Sequence, residues 1–177
     1  MKHFTPNDTV ALSEARIGVV MRRRDGSVHV TTVDAAEYAL VADYRWYVLI
    51  GNSGVVYALA SPPRECTVGM HRLILGVTDP KVEVDHIDHN GLNNTRANLR
   101  VCTKTENLRN SRRRRDNTSG FKGVCWNKRD QHWRALIYIA GKQRYLGVFH
   151  TPEEAAQAYN NAAVIHFGEF AHLNEGI

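Results

Sequence analysis

The stretch VEVDHIDHNGLNNTRANLRVCTKTEN, residues 82–107, carries the strongest indication of a fold in this sequence. Its outer segments, Val82–Val84 and Asn98–Cys102, are typical of two short strands, and the polar segment between them is typical of a loop. Thr103 followed by Glu106 is a capping box, which predicts that a helix begins there. The stretch therefore predicts the order strand, loop, strand, helix.

Three polar residues of this stretch have the chemistry of a hydrolytic centre. Asp85 and Asn107 bring oxygen ligands from two elements that are expected to pack together. Such oxygens suit one divalent metal ion, Mg²⁺ or Mn²⁺, which keeps several of its waters. His86 points from the other face of the strand, where a neutral imidazole can take a proton from water. The residues alone leave open the alternative of a polar turn with several Asx caps.

Three motifs in this part of the chain resemble a known family. They are HRLI at residues 71–74, VDHIDHNGLNNTRANLR at residues 84–100 and CTKTENLRN at residues 102–110. Together they resemble the HNH endonucleases with a ββα-metal fold, in particular the homing-type group of phages. The resemblance implies that His86 is the general base and that Asp85 and Asn107 are the protein ligands of one divalent metal ion. It also implies that Asn98 holds the loop and orients the His86 imidazole.

The chain departs from the family pattern at two positions. Asn107 stands where the family usually has His, as it does in the homing-type branch. His89 stands where that branch often has a small residue, and no role is assigned to it. The three cysteines form no CxxC pair, which disfavours both a disulfide scaffold and a four-cysteine zinc site.

Residues 1–75 predict an α+β scaffold ahead of these motifs. Apolar runs on either side of Asp25-Gly26 and of residues 51–54 predict two hairpins. Residues 34–43 and 70–75 are typical of short helices. No apolar run approaches the roughly 20 residues that a membrane helix needs, so a membrane protein is not expected.

Charge is distributed unevenly along the chain. Between Arg100 and Tyr145 there are 13 Lys and Arg against three acids, whereas the rest of the chain has 10 against 15. Such segregation is typical of a protein that binds a polyanion, nucleic acid above all. The densest part is Arg112-Arg113-Arg114-Arg115, followed by turn-forming residues, which predicts a basic linker over residues 112–116. The run is either a solvated connector or a segment that lies along DNA phosphates.

The region after the linker predicts three strands and one helix. Residues 121–126, 133–139 and 144–149 have strand patterns, and Thr151, Pro152 and Glu154 form the beginning of a helix that Gly168 ends. The segments SGFKGV, WRALI, YLGVF, TPEEAAQAY and FGEFAHLN resemble the plant apetala-two/ethylene-response-factor domain, over residues 117–174. In that family the sheet enters the major groove of DNA. The resemblance implies that the DNA-binding residues here are Lys122, Trp126, Lys128, Arg129, Arg134, Arg144 and Tyr145.

Together these features predict an α+β protein: a ββα-metal module, then a three-stranded antiparallel sheet packed on one helix. The expected domains are a scaffold at 1–75, the ββα-metal motif at 76–111, a basic linker at 112–116 and a DNA-binding domain at 117–177. The expected function is that of a homing-type, metal-dependent endonuclease, monomeric and therefore nicking, that acts on double-stranded DNA inside the host cell of a phage. Two alternatives stay open: a non-catalytic DNA-binding regulator, and an RNA-binding or structural nucleic-acid protein.

Overall fold

A computed structural model describes residues 5–51, 54–113 and 116–177, and the chain divides into two compact units at residues 104 and 105. Both units combine small antiparallel sheets with short helices, which confirms the mixed α and β composition expected from the sequence. The predicted linker at 112–116 lies within the second unit, and two of its residues, Arg114 and Arg115, are outside the described ranges. None of the helices in the described part of the chain is long and apolar enough to span a membrane.

The first unit contains three small sheets and two short α-helices. Its first sheet has the order β1-β2-β3 and its second β4-β5-β6, while β7 and β8 pair with each other. The bounds are β1 Thr9–Ser13, β2 Arg16–Arg22, β3 Val28–Asp34, α1 Tyr38–Val41, β4 Trp46–Ile50, β5 Val56–Ala60, β6 Val68–Gly69, α2 Met70–Ile74, β7 Glu83–His86 and β8 Leu99–Cys102. Both predicted hairpins are confirmed, with Arg22 opposite Val28 and Ile50 opposite Val56.

One apolar core joins the three sheets of this unit. Helix α2 lies in the middle of that core through Met70 and Ile74, which are 0% and 1% exposed. Val33 from the first sheet, Ala58 from the second and Leu99 from β8 belong to the same cluster. The core therefore holds β7, which carries His86, and β8, which follows Asn98, against the predicted scaffold.

The second unit is built from α3 (Lys104–Asn110, of which Lys104 still belongs to the first unit), β9 (Val124–Asn127), β10 (His132–Ile139), β11 (Lys142–Phe149) and α4 (Pro152–Phe167). The three strands form one antiparallel sheet in the order β11-β10-β9, and α4 covers one face of that sheet.

Helix α4 begins as the sequence predicts. The Thr151 side chain accepts a hydrogen bond from the Glu154 backbone NH, the Glu154 carboxylate accepts one from the Thr151 backbone NH, and Pro152 opens the first turn. Fully buried alanines, Ala155 and Ala163 among them, let the helix lie close to the sheet. Gly123 makes a similar close approach, because a Cβ at this position would lie 2.1 Å from a ring carbon of Tyr159.

Candidate functional site

Strand β7 places Asp85 and His86 at adjacent buried positions, each 6% exposed. Arg100 on β8 lies directly opposite Asp85 in the strand register. Its Nε and Nη2 donate to the same carboxylate oxygen of Asp85 at 3.0 and 2.8 Å, and both side chains are almost buried. A charged pair with two hydrogen bonds holds the carboxylate in one orientation. The sequence analysis did not select Arg100, although the cross-strand register would have found it.

The imidazole of His86 lies among aromatic rings. The His71 ring meets it edge-on, with centroids 5.1 Å apart, and the Tyr57 ring is 6.0 Å away. Burial lowers the pKa of His86, while the hydrogen bond with Asn94 and the charges of Asp88 and Asp85 partly oppose that shift. Burial also lowers the pKa of His71 to about 3, with smaller contributions from His86 and Arg72. Both rings are therefore neutral near pH 7.

Asn98 closes the loop between the two strands. Its Nδ2 donates to Asp88 Oδ1 and to the carbonyl of Asn93, both at 2.8 Å, and its Oδ1 accepts from the Asp88 backbone NH. The backbone carbonyl of Asn98 accepts from the NH of Ile87, next to the catalytic candidate. The side-chain amide of Asn94 is hydrogen-bonded to the His86 ring, with 3.2 Å between Asn94 Oδ1 and His86 Nε2. The sequence analysis did not single out Asn94.

The loop is also tied to the first sheet. The NH of Thr32 on β3 donates to the carbonyl of Leu92, and the NH of Asn94 donates to the carbonyl of Thr32, both at 2.8 Å. Gly91 is needed at its position because a Cβ there would lie 2.2 Å from the backbone oxygen of Val56. His89 has a φ of 60°, in the left-handed region that favours glycine, which agrees with the small residue often found there.

Asn107 lies on α3, beyond the point where the chain divides into two units. Within the second unit the end of this helix is anchored by Lys122, whose ammonium donates to the carbonyls of Arg109 and Ser111, both at 2.6 Å. The Arg109 guanidinium lies 5.0 Å from the centre of the Phe167 ring. Burial lowers the pKa of Lys122 to about 8. Lys122, selected as a DNA contact, is thus engaged with backbone oxygens.

Asp85 and Asn107, the predicted metal ligands, belong to different units, and each carries an oxygen donor of the kind that hard cations accept. One carboxylate and one amide oxygen are ligand types that Mg²⁺ and Mn²⁺ accept while keeping waters. In the described ranges there is no group of three or more His, Cys, Asp or Glu side chains that could hold a metal ion.

The register of the C-terminal sheet shows how the predicted DNA contacts divide between its faces. Residues directly opposite each other in antiparallel strands share a face. Trp126 lies opposite Trp133, with the two ring centroids 5.0 Å apart and the rings inclined at 59°, and Arg144 lies opposite Ile137. Trp126 and Arg144 are therefore on the face that carries α4. Arg134 is on the other face.

Among the described residues, the side chains of that open face include aromatic and apolar groups around the cation Arg134. Tyr145 and Tyr138 are 60% and 66% exposed there. Arg134 Nη2 donates to Asp130 at 2.7 Å, and among the described residues its buried Nε has no hydrogen-bond partner. The exposed residues Lys128 and Arg129 occupy the turn between β9 and β10. The structure therefore places Arg134 and Tyr145 on one face of the sheet, and Lys128 and Arg129 in the turn between β9 and β10.

A cavity of about 660 Å³ adjoins this face within the second unit. Its lining includes Arg112 and Arg113 from the basic run, together with Cys125, Leu136 and Tyr138 from the sheet. Two of the four arginines that the sequence analysis selected as a basic connector thus line this cavity, whose lining also includes Ile137 and Tyr159 from the α4 side of the sheet, and the other two arginines lie outside the described residues.

Comparison with known proteins finds relatives of two kinds, plant transcription factors and viral proteins. Over 60 residues, 34% of the chain, it is 42% identical to an AP2-like ethylene-responsive transcription factor of Arabidopsis thaliana, covering 12% of that protein. A second ethylene-responsive transcription factor of that plant is 32% identical over 101 residues, 54% of this chain and 61% of its own. No solved structure matches the chain.

The other matches are a family model over the region of Asp85 and His86 and two viral proteins. A family model described as HNH endonuclease matches residues 69–109. An uncharacterized HNH endonuclease of Acanthamoeba polyphaga mimivirus is 35% identical over 150 residues, which cover 81% of this chain and 73% of that protein. Protein 3.8 of Escherichia phage T7 is 38% identical over 90 residues, 51% of this chain and 74% of its own. The chain belongs to the HNH endonuclease family and joins to it a region similar to AP2-type transcription factors.

Proposed function

We propose that this protein is a metal-dependent endonuclease that hydrolyses a phosphodiester bond of double-stranded DNA. The observation that carries the proposal is the pair of adjacent buried residues on β7: a neutral imidazole at His86 beside a carboxylate at Asp85 that Arg100 holds. A base and an anionic metal ligand at neighbouring positions are the two groups that this hydrolysis requires.

The chain's own residues divide the chemistry between them. His86 takes the proton of the water that attacks the phosphorus, because burial keeps its ring unprotonated near pH 7. Asp85 and Asn107 would hold one Mg²⁺ or Mn²⁺, which when bound stabilises charge on the phosphate and on the leaving oxygen. Asn98 keeps the loop closed through its bonds to Asp88 and Asn93. In this proposal β7, β8 and α3 form the ββα-metal module.

The C-terminal sheet supplies affinity for DNA. Tyr145 on the open face would reach the groove, while Arg134, Lys128, Arg129 and the run Arg112–Arg115 would contact phosphates. Arg144, exposed on edge strand β11, would also reach the sugar-phosphate backbone of the DNA. Lys122 and Trp126, selected with them, have packing partners in the structure, so we propose that they contribute less to binding.

One active site per chain cuts one strand, so a monomeric enzyme would nick its substrate. Two of the relatives are viral proteins, which supports action on DNA inside an infected host cell. The identity to plant transcription factors is confined to part of the chain, and it supports a second candidate function, that of a DNA-binding regulator without catalysis.

The experiment that separates these functions is a supercoiled-plasmid assay with the full chain in Mg²⁺, in Mn²⁺ and in EDTA. We expect conversion to the open-circular form with either metal and none in EDTA. Full binding without conversion under every metal condition would favour the regulator, and cleavage of a structured RNA in preference to the plasmid would favour an RNA-directed protein.

A further inference from the structure

A chain of buried hydrogen bonds leads from His86 to the first sheet. His86 Nε2 lies 3.2 Å from Asn94 Oδ1, Asn94 Nδ2 lies 2.8 Å from Thr31 Oγ1, and Thr31 Oγ1 lies 2.8 Å from the carbonyl oxygen of Leu92. Asn94 is 1% exposed and Thr31 0%. Thr31 is on β3, outside residues 69–109 that the family model matches. Thr31, a residue of the scaffold, is thereby connected to His86 through the side chain of Asn94.

The direction of each hydrogen bond follows from the atom at the far end. A carbonyl oxygen can only accept, so the single hydroxyl proton of Thr31 goes to Leu92 at 2.8 Å; the sulfur of Met70, at 3.8 Å, is a weaker acceptor. Thr31 Oγ1 must then accept from Asn94, which therefore presents its NH₂ group to Thr31. The Gly91 carbonyl, 3.3 Å from the same nitrogen, requires the same orientation.

The orientation of Asn94 decides which nitrogen of His86 carries the proton. With its NH₂ group directed at Thr31 and Gly91, Asn94 has its carbonyl oxygen directed at the imidazole. That oxygen can only accept, so Nε2 of a neutral His86 must be the protonated nitrogen. The lone pair that can take a proton is then on Nδ1.

We propose that Thr31 and Asn94 are positioning residues that fix His86 in its Nε2–H tautomer and so assign proton acceptance to Nδ1. The inference rests on the proposed role of His86 as the base and names the atom that acts. Loss of the Asn94 oxygen would remove the acceptor that holds the proton on Nε2, and the ring would lose a partner that fixes its rotation. Removing an outer hydrogen-bond partner of this kind typically costs about 10- to 100-fold in activity.

The test reads the tautomer directly. In metal-free protein at mildly alkaline pH, the two ring ¹⁵N shifts of His86 distinguish a protonated nitrogen from one with a lone pair. We expect wild type to show the Nε2–H form and Asn94→Leu to show both forms. Thr31→Val should shift the population in the same direction by a smaller amount, and Thr31→Ser, which keeps the hydroxyl, should restore the wild-type spectrum.

Nicking rates of the same proteins provide the second readout. Asn94→Leu should lower kcat by about 10- to 100-fold with little change in KM, because DNA binding does not use this residue. Thr32→Val is the matched control, since Thr32 joins the loop through its backbone groups. If Asn94→Leu does not fold, the comparison of Thr31→Val with Thr31→Ser tests the same inference.

The outcomes separate the inference from the proposed function. A wild-type spectrum with the proton on Nδ1, or an unchanged Nε2–H form in folded Asn94→Leu and Thr31→Val, would overturn the inference whatever the nicking rates. A tautomer change without loss of nicking would overturn the assignment of the proton to Nδ1. A plasmid that wild type never cleaves would contradict the proposed function, while the spectra would still decide what fixes the tautomer.

Discussion

The site on β7 and the open face of the C-terminal sheet are organised in opposite ways. Asp85 and His86 are buried, and the side chains that hold them, Arg100 and Asn94, are almost or fully buried as well. On the sheet, Tyr145 and Arg129 are mostly exposed. Groups that act on one bond must be fixed before the substrate arrives, whereas groups that follow a flexible backbone gain from adapting to it. Substitutions at the first site should therefore change rate, and those at the second should change affinity and its salt dependence.

The largest expected effect is that of His86→Ala. Loss of a general base typically lowers the rate by about 10² to 10⁴, and the basic surface is left in place, so DNA binding should survive. Plasmid nicking and a gel-shift titration measure the two quantities on one preparation. His166→Ala is the matched control, since His166 is exposed on α4. A wild-type rate for His86→Ala would show that another group is the base.

Next in size is the loss of metal binding. Asp85→Ala and Asn107→Ala should each abolish Mn²⁺ binding and cleavage together, because neither ligand alone holds an ion that prefers water. Asp85→Asn, which keeps the shape of the side chain, guards against unfolding around an Arg100 guanidinium that has lost this carboxylate. Asn161→Ala on the surface of α4 serves as the control. Calorimetric titration that gives unchanged Mn²⁺ affinity in both alanine variants would rule out this ligand pair.

Local patterns predicted the elements of this fold, and long-range contacts limited what could be predicted of the site. The hairpins, the capping box of Thr151 and the adjacent positions of Asp85 and His86 all follow from residues close together in sequence. Thr31 is 63 residues from Asn94, and no local pattern relates them. On the sheet, alternation shows which residues of one strand share a face, but only the register places Trp126 beside Trp133.

Acid should destabilise the first unit through His71. Its pKa is about 3 in the folded protein against 6.5 for an ordinary histidine, because the ring is buried. The unfolded chain therefore binds one more proton between these values, so stability is full above pH 6.5, falls as the pH drops and stops falling below about pH 3. This linkage between protonation and folding lowers the free energy of unfolding by about 2 kcal/mol at pH 5.

Urea unfolding across this pH range measures that loss. His71→Phe keeps an aromatic ring beside Tyr57 and His86. It should reduce the slope of the free energy of unfolding against pH by the amount that one proton contributes. The slope that remains should include the contribution of His86, whose pKa is also lowered by burial. An identical pH dependence in wild type and His71→Phe would mean that His71 is not buried as a neutral ring.

The smallest expected effect concerns single cations of the second unit, and it separates Arg134 from Lys122. Arg134 lies on the open face, so Arg134→Ala should weaken DNA binding several-fold and reduce the salt slope of log K by about 1, as expected for one lost phosphate contact. Lys122 donates to the carbonyls of Arg109 and Ser111, so Lys122→Met should leave the salt slope unchanged and lower the unfolding temperature instead. Binding titrations at several salt concentrations and thermal melts of both variants make the comparison. The reverse pattern, a reduced slope for Lys122→Met and none for Arg134→Ala, would place the DNA on the Lys122 side of the unit and contradict the assignment of the open face.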